Sequence, residues 1–436
     1  MLHSLHLKNV GPAPEMNLEL APRMNLITGD NGLGKSFLLD VAWWALTRRW
    51  PQELNPKLTS GYIARPPDPK KTASIRFRLQ SKTRPVDYES VYKAREQAWT
   101  GKAGRPWNPG LVIYAHADGG FSVWDPARNY WKKKGNLDVQ DRRPGYVFSP
   151  KEVWDGLQIE EDNRKIYLCN GLVLDWAAWI REGGTNAENI AAVLKLLAPQ
   201  GEVLEVGELT RISVDDNRDM PTLRTAYAKD GVPVLYASSG VRRALGLAYM
   251  LLWSWREHAL AAKALGEPRT KQVVLLYDEI ESHLHPRWQR SILRALLGLM
   301  TTLHQQASIQ LIAATHSPLV MASAEPPFET KKDAWFDLDQ EDAKVHLRKR
   351  PFVRRGEIAN WLTSEAFDLR EARSAEAETA LTKARALTQK GRPSREELDA
   401  VDQALRKVLP DVDPFWLQWT YFREQHHGSR RREDGK

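Results

Sequence analysis

Apolar residues in this chain come in short runs of the length typical of buried β-strands, and helical segments follow them. Val273–Tyr277 is wholly apolar, and Met24–Thr28 and Ile309–Ala314 are mostly so. Strands that are apolar on both faces are typical of the centre of a parallel sheet covered on each side. Ser36–Arg48 is apolar on nearly every side, which predicts a buried helix. The alternation of strand and helix predicts an α/β fold.

The pattern is weaker from about residue 51 to residue 204, where proline and glycine are dense. Strand-like pieces such as Ser74–Leu79, Leu111–Ala115 and Gly120–Trp124 occur there, and a helix is predicted over Thr185–Leu197. Seven tryptophans also lie in this region, interleaved with arginine. Such tryptophans either pack a folded lobe or stack on bases, and packing is the favoured interpretation. We predict a lobe of strands with some helix, inserted into the α/β unit.

After residue 350 the pattern becomes helical. Ser394 and Glu397 have the spacing of a capping box. Apolar residues at helical spacing predict a hairpin of two helices, with Leu381, Ala384 and Leu387 on the first and Leu398, Val401, Leu405 and Val408 on the second. The predicted organisation is a head from 1–50 and 205–350, an inserted lobe over 51–204, a helical region over 351–425 and a basic, disordered tail over 426–436.

Composition is that of an ordinary folded protein, with 42% apolar and 27% charged residues in 436. The apolar runs are too short to span a membrane, and the first residues alternate like a strand rather than a signal peptide. The one cysteine, Cys169, excludes an internal disulfide framework and is expected to be a small buried residue. We therefore expect a cytoplasmic protein with no membrane partner.

The formal net charge of +8 is consistent with an anionic partner such as nucleic acid. The excess is uneven, because basic residues cluster at Trp131–Lys134, Arg348–Arg350, Arg354–Arg355 and Arg430–Arg432. Charge runs are more often solvated faces than binding sites. Nucleic acid is therefore a candidate partner rather than an established one.

The segment Gly29–Ser36 has the pattern of a phosphate-binding loop, and it lies between a predicted strand and a buried helix, as that loop requires. Its glycines allow backbone N–H groups to converge on a phosphate at a helix N-terminus. Lys35 would supply charge to the β- and γ-phosphates, and the Ser36 hydroxyl would be a ligand of Mg²⁺. The ATP-binding residues predicted in this loop are Asn31, Gly32, Gly34, Lys35 and Ser36.

Asp278 and Glu279 end a predicted buried strand, so they lie at the edge of the sheet where α/β folds bind ligands. Asp278 is assigned to Mg²⁺ through water, and Glu279 to the base that activates the attacking water. The alternative is a carboxylate pair at a helix N-terminus. His316 follows another buried strand and would lie beside Glu279 if the two strands are neighbours.

Ser238 and Gly240 begin an apolar helix, whose exposed N–H groups suit an anion. Arg242 and Arg243 in its first turn oppose the helix dipole, which is explained if they meet phosphate. The alternative role of Ser238 is an N-cap. The histidines at 283 and 285 form a weak metal pattern, and a loop at a subunit interface is the favoured interpretation.

The motifs together resemble the ABC-type ATPase heads of the SMC-like and RecF-like branch, including AAA_21-like ATPases. Within it, the sequence is similar to the bacterial ATPases that accompany overcoming-lysogenization-defect nucleases and to those of the Septu, Gabija and PARIS anti-phage systems. The resemblance spans roughly residues 1–50 and 205–370. It rests on Gly29–Ser36, Ser238–Arg243, Asp278–Pro286 and Thr315–Pro318, with Trp361–Phe367 as a further likeness.

This resemblance implies an ABC-type P-loop head, a mixed sheet flanked by helices, with an inserted lobe and a C-terminal helical appendage. It also implies a homodimer or higher homo-oligomer, in which Ser238 and Gly240 of one copy contact the γ-phosphate held by the other, and a γ-phosphate-sensing His316. Two features depart from the family: the turn at Ala237–Val241 is not Leu-Ser-Gly-Gly-Gln, and the loop after Glu279 lacks its usual aspartate. The glutamine that bridges Mg²⁺ and water is not placed, with Gln80 and Gln158 as guesses.

The resemblance implies an ATPase that regulates a separately encoded effector, a nuclease or toxin from the same operon, in anti-phage defence. No glutamate-glycine turn precedes Asp337–Asp339, so the pattern of a TOPRIM nuclease is incomplete. The aromatic segment Pro414–Phe422 is either a docking surface for the effector or ordinary core. The alternative function is a RecF-like repair ATPase that clamps DNA without an effector. A transporter subunit is disfavoured by the signature turn.

Overall fold

The computed structural model describes residues 1–82, 84–101, 107–130, 142–303, 307–390 and 393–428, and these form two compact units, Met1–Gly356 and Glu357–Lys436. The basic clusters at 131–134 and 430–432, and the tail from residue 429 onward, lie outside the described residues.

The strands of the first unit are β1 (Leu2–Lys8), β2 (Glu15–Glu19), β3 (Met24–Gly29), β4 (Ser74–Gln80), β5 (Pro85–Lys93), β6 (Ala98–Trp99), β7 (Leu111–Ala115), β8 (Phe121–Trp124), β9 (Tyr146–Phe148), β10 (Leu157–Glu161), β11 (Arg164–Cys169), β12 (Leu204–Val206), β13 (Thr222–Thr225), β14 (Ala228–Pro233), β15 (Gln272–Tyr277), β16 (Ser308–Ala314), β17 (Asp333–Glu341) and β18 (Lys344–Arg350). Its helices are α1 (Lys35–Thr47), α2 (Pro51–Leu54), α3 (Pro150–Asp155), α4 (Leu172–Glu182), α5 (Gly184–Leu197), α6 (Ser239–Ala264), α7 (Pro286–Leu303) and α8 (Pro318–Ala324), with a 3-10 turn at Val234–Tyr236.

The large sheet has the strand order β18-β17-β3-β16-β15-β7-β8-β9. The strands from β17 to β7 in this order pair in parallel, and β18, β8 and β9 pair antiparallel at the two ends. Apolar runs such as β7 and β15 are buried along almost their whole length, as expected where both faces of a parallel sheet are covered. This mixed sheet with its helices confirms the predicted α/β fold class.

Helix α1 is apolar all round because it is packed between two sheets. One neighbour is the large sheet, and the other is a second sheet with the order β2-β1-β4-β5-β6. Trp43 is fully buried, and Trp44 stacks on Trp50 with ring centroids 5.4 Å apart. The prediction of a buried helix is confirmed, and its burial fixes the direction in which the preceding loop presents its backbone.

Residues 51–204, predicted as an inserted lobe, instead contribute strands to both sheets of the head. β4 pairs with β1, and β7 pairs in parallel with β15. The cause is burial: all of Leu111–Ala115 is buried, and this strand covers the edge of β15. Two other predictions for this region are confirmed. The helix predicted over Thr185–Leu197 is present as α5. The tryptophans at 124, 176 and 179 are buried, as expected if they pack a folded core.

Two further strand pairs are hairpins. Residues Thr222–Tyr236 form the hairpin β13–β14 followed by a 3-10 turn. The strands β17 and β18 form a hairpin at the edge of the large sheet. Within the described residues, no helix combines the length and apolarity needed to cross a bilayer.

The second unit contains α9 (Ile358–Leu362), α10 (Ala375–Gln389), α11 (Arg395–Val408) and α12 (Phe415–Gly428). The capping box that opens α11 is present, because Ser394 accepts from the backbone N–H of Glu397 and the Glu397 carboxylate accepts from that of Ser394. α10 and α11 share an apolar core with α12, where Trp419 is fully buried. Phe415 and Trp419 of the aromatic segment therefore belong to the core and Trp416 and Phe422 pack against it, whereas Leu417 and Tyr421 are 83% and 65% exposed.

Candidate nucleotide-binding site

The loop between β3 and α1 has a backbone that only glycine adopts easily. Gly29, Gly32 and Gly34 have φ values of +131°, +80° and +102°. A Cβ at Gly29 would lie 2.2 Å from the carbonyl oxygen of Leu338 on β17. The loop thus leads directly from a central strand into the N-terminus of a buried helix, where backbone N–H groups converge on an anion.

Lys35 is buried within this loop. Its Nζ donates to the carbonyl oxygens of Gly29 and Asp30, each at 2.7 Å. Burial lowers the pKa of Lys35 to about 8, although the nearby carboxylate of Asp278 favours the charged form. Asn31 and Gly32 are exposed at the tip of the loop. The loop therefore holds a poorly solvated cation at its base and free backbone at its mouth.

Asp278 lies at the end of β15 and faces the loop. Its side chain is almost completely buried and accepts a hydrogen bond from the Ser36 hydroxyl, while Oδ1 has no hydrogen-bond partner in the described structure. Burial, with the Glu279 charge beside it, raises the pKa of Asp278 to about 6. A buried carboxylate oxygen without a partner, next to a hydroxyl, fits Mg²⁺, which prefers oxygen ligands. Ser36 and Asp278 are the residues that would hold it.

Asp278→Asn should stabilise the nucleotide-free protein at pH 8. The pKa of Asp278 is about 6 in the folded chain against an ordinary 3.8, so folding favours the protonated form. The contribution of Asp278 to the free energy of unfolding is therefore greatest below pH 4, falls as the pH rises to about 6, and stays reduced above it, by about 3 kcal/mol. Asparagine has a similar shape and no charge. Urea unfolding at pH 8 should give a higher free energy for the variant, with little difference near pH 4.

The control for this experiment is Asp230→Asn, because Asp230 is exposed on β14. That variant should match the wild type at both pH values. A variant at position 278 that is less stable than the wild type at pH 8 would show that the carboxylate has a compensating partner in the free protein.

Glu279 and His316 lie at the same edge of the sheet, because β15 and β16 are parallel neighbours. Glu279 has a left-handed backbone, with φ +48°, and its carbonyl oxygen accepts from the Ser282 N–H at 2.8 Å. His316 donates to the Gly29 carbonyl oxygen, and burial together with the Lys35 charge lowers its pKa. The expected adjacency of the two strands is confirmed. The structure therefore brings the glycine loop, the acidic pair and His316 to one edge.

Ser238 is the N-cap of α6, where its side chain accepts from the Val241 N–H at 3.4 Å. Gly240 is packed against the loop that follows Glu279, since a Cβ there would lie 2.6 Å from the His283 carbonyl oxygen. Ser238 thus caps its own helix and is exposed, and Gly240 is packed against this loop. The N-cap role is present, and it leaves the exposed first turn of α6 able to meet an anion.

The prediction that Arg243 meets phosphate is wrong for the single chain. Arg243 is buried, donates to the carbonyl oxygen of His116 at 2.5 Å, and lies over the ring of Tyr277. It turns inward because the first turn of α6 packs on the loop after β7. Arg242 remains exposed.

Sequence reasoning missed several polar residues around the site. Glu281 accepts from the Thr315 hydroxyl and from the His316 N–H, each at 2.6 Å. Tyr114 donates to Asp40 at 2.9 Å, and burial raises the pKa of Asp40 to about 7. The sequence offered one signal for these residues, namely a single polar residue within or next to an apolar run. Such a residue can be interpreted only when the neighbouring strand is known.

The Mg²⁺-bridging glutamine stays unassigned. Gln80 ends β4 in the second sheet and donates to the Ser81 carbonyl oxygen, and Gln158 is on the exposed hairpin β10–β11. β7, the neighbour of β15, is followed by His116, which is buried and hydrogen-bonded to Ser122. Across the described ranges, no group of three or more His, Cys, Asp or Glu side chains is arranged to hold a metal, His283 and His285 included.

The family model AAA_21, described as "AAA domain, putative AbiEii toxin, Type IV TA system", matches residues 24–322, which is 299 of the 436 residues. This range contains all four motifs of the site. A stretch of 60 residues, 14% of the chain, is 38% identical to "Retron Vc95 probable ATPase" of Vibrio cholerae serotype O1 biovar El Tor, and it spans 10% of the length of that protein.

The solved structures that this chain matches include an SmcHead bound to the C-winged helix domain of ScpA (13% identity, 80% of this chain and 97% of that chain, TM-score 0.40). The SMC head domain from Thermotoga maritima is 15% identical, and the match covers 80% of this chain and 99% of that chain with a TM-score of 0.37. The recombination mediator protein RecF is 14% identical, and the match covers 80% of this chain and 98% of that chain with a TM-score of 0.36.

Proposed function

The chain belongs to the AAA_21 family, and on that premise we propose that two copies of it bind ATP and Mg²⁺ between them and hydrolyse the ATP. The observation that carries the proposal is the convergence of Lys35, Asp278 and His316 around the glycine loop. A buried cation, an unpartnered buried carboxylate oxygen and a histidine that touches the loop are the parts that phosphoryl transfer to water needs.

Each residue has a distinct task. Lys35 and the loop N–H groups bind the phosphates, and Ser36 and Asp278 hold Mg²⁺. When bound, Mg²⁺ neutralises charge on the phosphate oxygens. Glu279 orients the attacking water and accepts its proton. When ATP binds, the His316 ring N–H that donates to the Gly29 carbonyl oxygen in the free protein donates instead toward the γ-phosphate.

The second copy completes the site. Ser238 is exposed at the start of α6, and Gly240 is packed against the loop after Glu279. The first turn of a 26-residue helix presents free N–H groups, which favour an anion. The proposal is that this turn meets the γ-phosphate held by the partner, so that neither copy hydrolyses ATP alone.

Mixing two inactive variants should restore activity if each site is shared. Lys35→Ala removes the cation that binds the phosphates, and Ser238→Ala removes the hydroxyl that meets the partner's phosphate without adding bulk at the interface, so each should be inactive alone. In a mixed dimer, one site combines the intact Lys35 of one copy with the intact Ser238 of the other. Random exchange of subunits should therefore return roughly one quarter of the wild-type ATP turnover, measured as phosphate release.

The matched control mixes Lys35→Ala with the double variant Lys35→Ala/Ser238→Ala, in which no combination contains an intact pair. That mixture should stay at background. Absence of recovery in the first mixture, with subunit exchange verified by differently tagged copies, would contradict the shared site.

The proposal extends to anti-phage defence, in which ATP turnover regulates a separately encoded effector, a nuclease or toxin. Support comes from the segment similar to the Vibrio cholerae retron ATPase and from the family description, which includes a putative toxin. The test is expression with the product of the adjacent gene and a phage plating assay. Protection that needs both proteins, and is lost in Lys35→Ala, is the expected result.

A RecF-like clamp on DNA is the second candidate, favoured by the net charge of +8. It predicts ATP turnover that double-stranded DNA stimulates, with no dependence on the neighbouring gene. Phosphate release measured with and without DNA distinguishes the two functions.

A further inference from the structure

The loop that follows the acidic pair is tied to the segment that carries His316. Glu281 Oε2 accepts from the Thr315 hydroxyl at 2.6 Å, and Oε1 accepts from the His316 backbone N–H at 2.6 Å. Both oxygens of one carboxylate are thus used on two consecutive residues. Hydrogen bonds to a carboxylate are shorter and stronger than neutral ones, so this contact fixes the backbone at His316.

A second contact braces the same two segments. The Ser317 hydroxyl donates to Gln289 Oε1 at 2.7 Å, and Gln289 Nε2 donates to the Leu284 carbonyl oxygen at 2.9 Å. The Ile280 N–H also donates to the carbonyl oxygen of Ala314, the last residue of β16, at 3.2 Å, which extends the pairing of the two strands beyond the end of β15. Hydrogen bonds at Ile280 and Leu284 therefore hold the loop on both sides of Glu281.

The side chain of His316 depends on this bracing. His316 donates to the Gly29 carbonyl oxygen of the phosphate loop, and it is only partly buried. In the described structure, Thr315 donates to Glu281 and accepts from the Ser317 N–H at 3.1 Å. Removal of the Glu281 carboxylate would leave the His316 N–H and the Thr315 hydroxyl without their acceptor at the point where the turn begins.

We propose that Glu281 is a positioning residue that holds His316 in place for the γ-phosphate. This inference rests on the proposed function. Glu281 acts through His316 and does not itself touch the reacting atoms. Its side chain is needed for its shape and for the oxygen that accepts from the His316 N–H, and its charge is not needed, which distinguishes it from Glu279.

Glu281→Ala should lower kcat about 10-fold while the Kd for ATP stays within about 2-fold, because a misplaced catalytic group costs rate rather than binding. Glu281→Gln should restore most of the loss, since its carbonyl oxygen can still accept from the His316 N–H. Phosphate release gives kcat, and a fluorescent ATP analogue gives Kd. Equal loss in Glu281→Gln and Glu281→Ala would overturn the inference, because the charge itself would then act in the reaction.

The decisive comparison adds His316→Ala. If Glu281 acts through His316, Glu281→Ala/His316→Ala should turn over no more slowly than His316→Ala alone. Losses that multiply would contradict the proposal. If thermal melting shows that Glu281→Ala does not fold, Thr315→Val is the second variant, because it removes one of the two hydrogen bonds to Glu281 with little change in shape. Thr315→Val should lower kcat less than Glu281→Ala does. In the His316→Ala background, Thr315→Val should not lower kcat further.

Failure of this inference is separable from failure of the proposed function. If the wild-type protein hydrolyses ATP and Lys35→Ala does not, the ATPase stands, and a Glu281→Ala protein with unchanged kcat removes only the role of Glu281. If the wild type has no turnover, the proposed function itself fails.

Discussion

Lys35→Ala should abolish measurable binding of ATP, with an increase in Kd of at least about 100-fold. Lys35 Nζ lies 2.7 Å from the carbonyl oxygens of Gly29 and Asp30, so the cation is buried against the backbone that would surround a phosphate. Burial leaves it poorly solvated, and a phosphate oxygen is a far better partner than a carbonyl oxygen. Losing one member of a buried charge pair costs about 3–5 kcal/mol, which is consistent with this increase.

The affinity should also depend on pH. The pKa of Lys35 in the free protein is about 8, and bound phosphate favours the protonated form and raises this value. Binding should therefore weaken as the pH rises from 7 to 9. Titration with a fluorescent ATP analogue at each pH measures this directly.

Two results check the interpretation of Lys35→Ala. Lys82→Ala, which removes an exposed lysine paired with Glu267 at the surface, should bind ATP like the wild type. The Lys35→Ala protein should melt no earlier than the wild type without nucleotide, because burial disfavours the charge it removes. A Lys35→Ala protein that binds ATP with unchanged affinity would show that the phosphates lie elsewhere.

The parts of the site that the sequence predicted are those determined by local pattern. An apolar strand, a glycine loop and a helix apolar on every side need no distant partner to be recognised, and β3, Gly29–Ser36 and α1 are where they were expected. The pairing of β15 with β16 could also be predicted from the sequence, because two apolar strands that each end in polar residues favour neighbouring positions in a parallel sheet.

What could not be predicted depends on pairing between distant segments. Leu111–Ala115 has the length and composition of many strands, and only its pairing with β15, some 160 residues later, shows that it belongs to the head. Arg243 was expected to face a phosphate, yet it turns inward to the carbonyl of His116, whose position is set by that same pairing. Glu281 has no local signal, because its function as an acceptor exists only when Thr315 and His316 lie opposite.

Glu279→Gln should bind ATP with nearly unchanged affinity and hydrolyse it about 100- to 1000-fold more slowly. Glutamine has the shape of glutamate but cannot accept the proton of the attacking water, and general base catalysis contributes about this much to rate. The backbone at Glu279 is left-handed, with φ +48°, and is fixed by the hydrogen bond from the Ser282 N–H, so the side chain of the variant should keep its position. Phosphate release and nucleotide titration measure the two quantities. Glu160→Gln, at an exposed position on β10, is the control and should match the wild type.

The same variant tests whether the nucleotide joins two copies. If ATP lies between two heads and is cleaved slowly, Glu279→Gln with ATP and Mg²⁺ should accumulate as a dimer, measured by light scattering after size exclusion, whereas ADP should leave it monomeric. Glu279→Gln/Ser238→Arg should remain monomeric with ATP, because Ser238 is exposed at the start of α6, and arginine there would block the approach of the partner. A dimer that forms equally well without nucleotide, or that Ser238→Arg leaves intact, would mean that the interface lies elsewhere. Turnover of Glu279→Gln at the wild-type rate would remove Glu279 from the role of base.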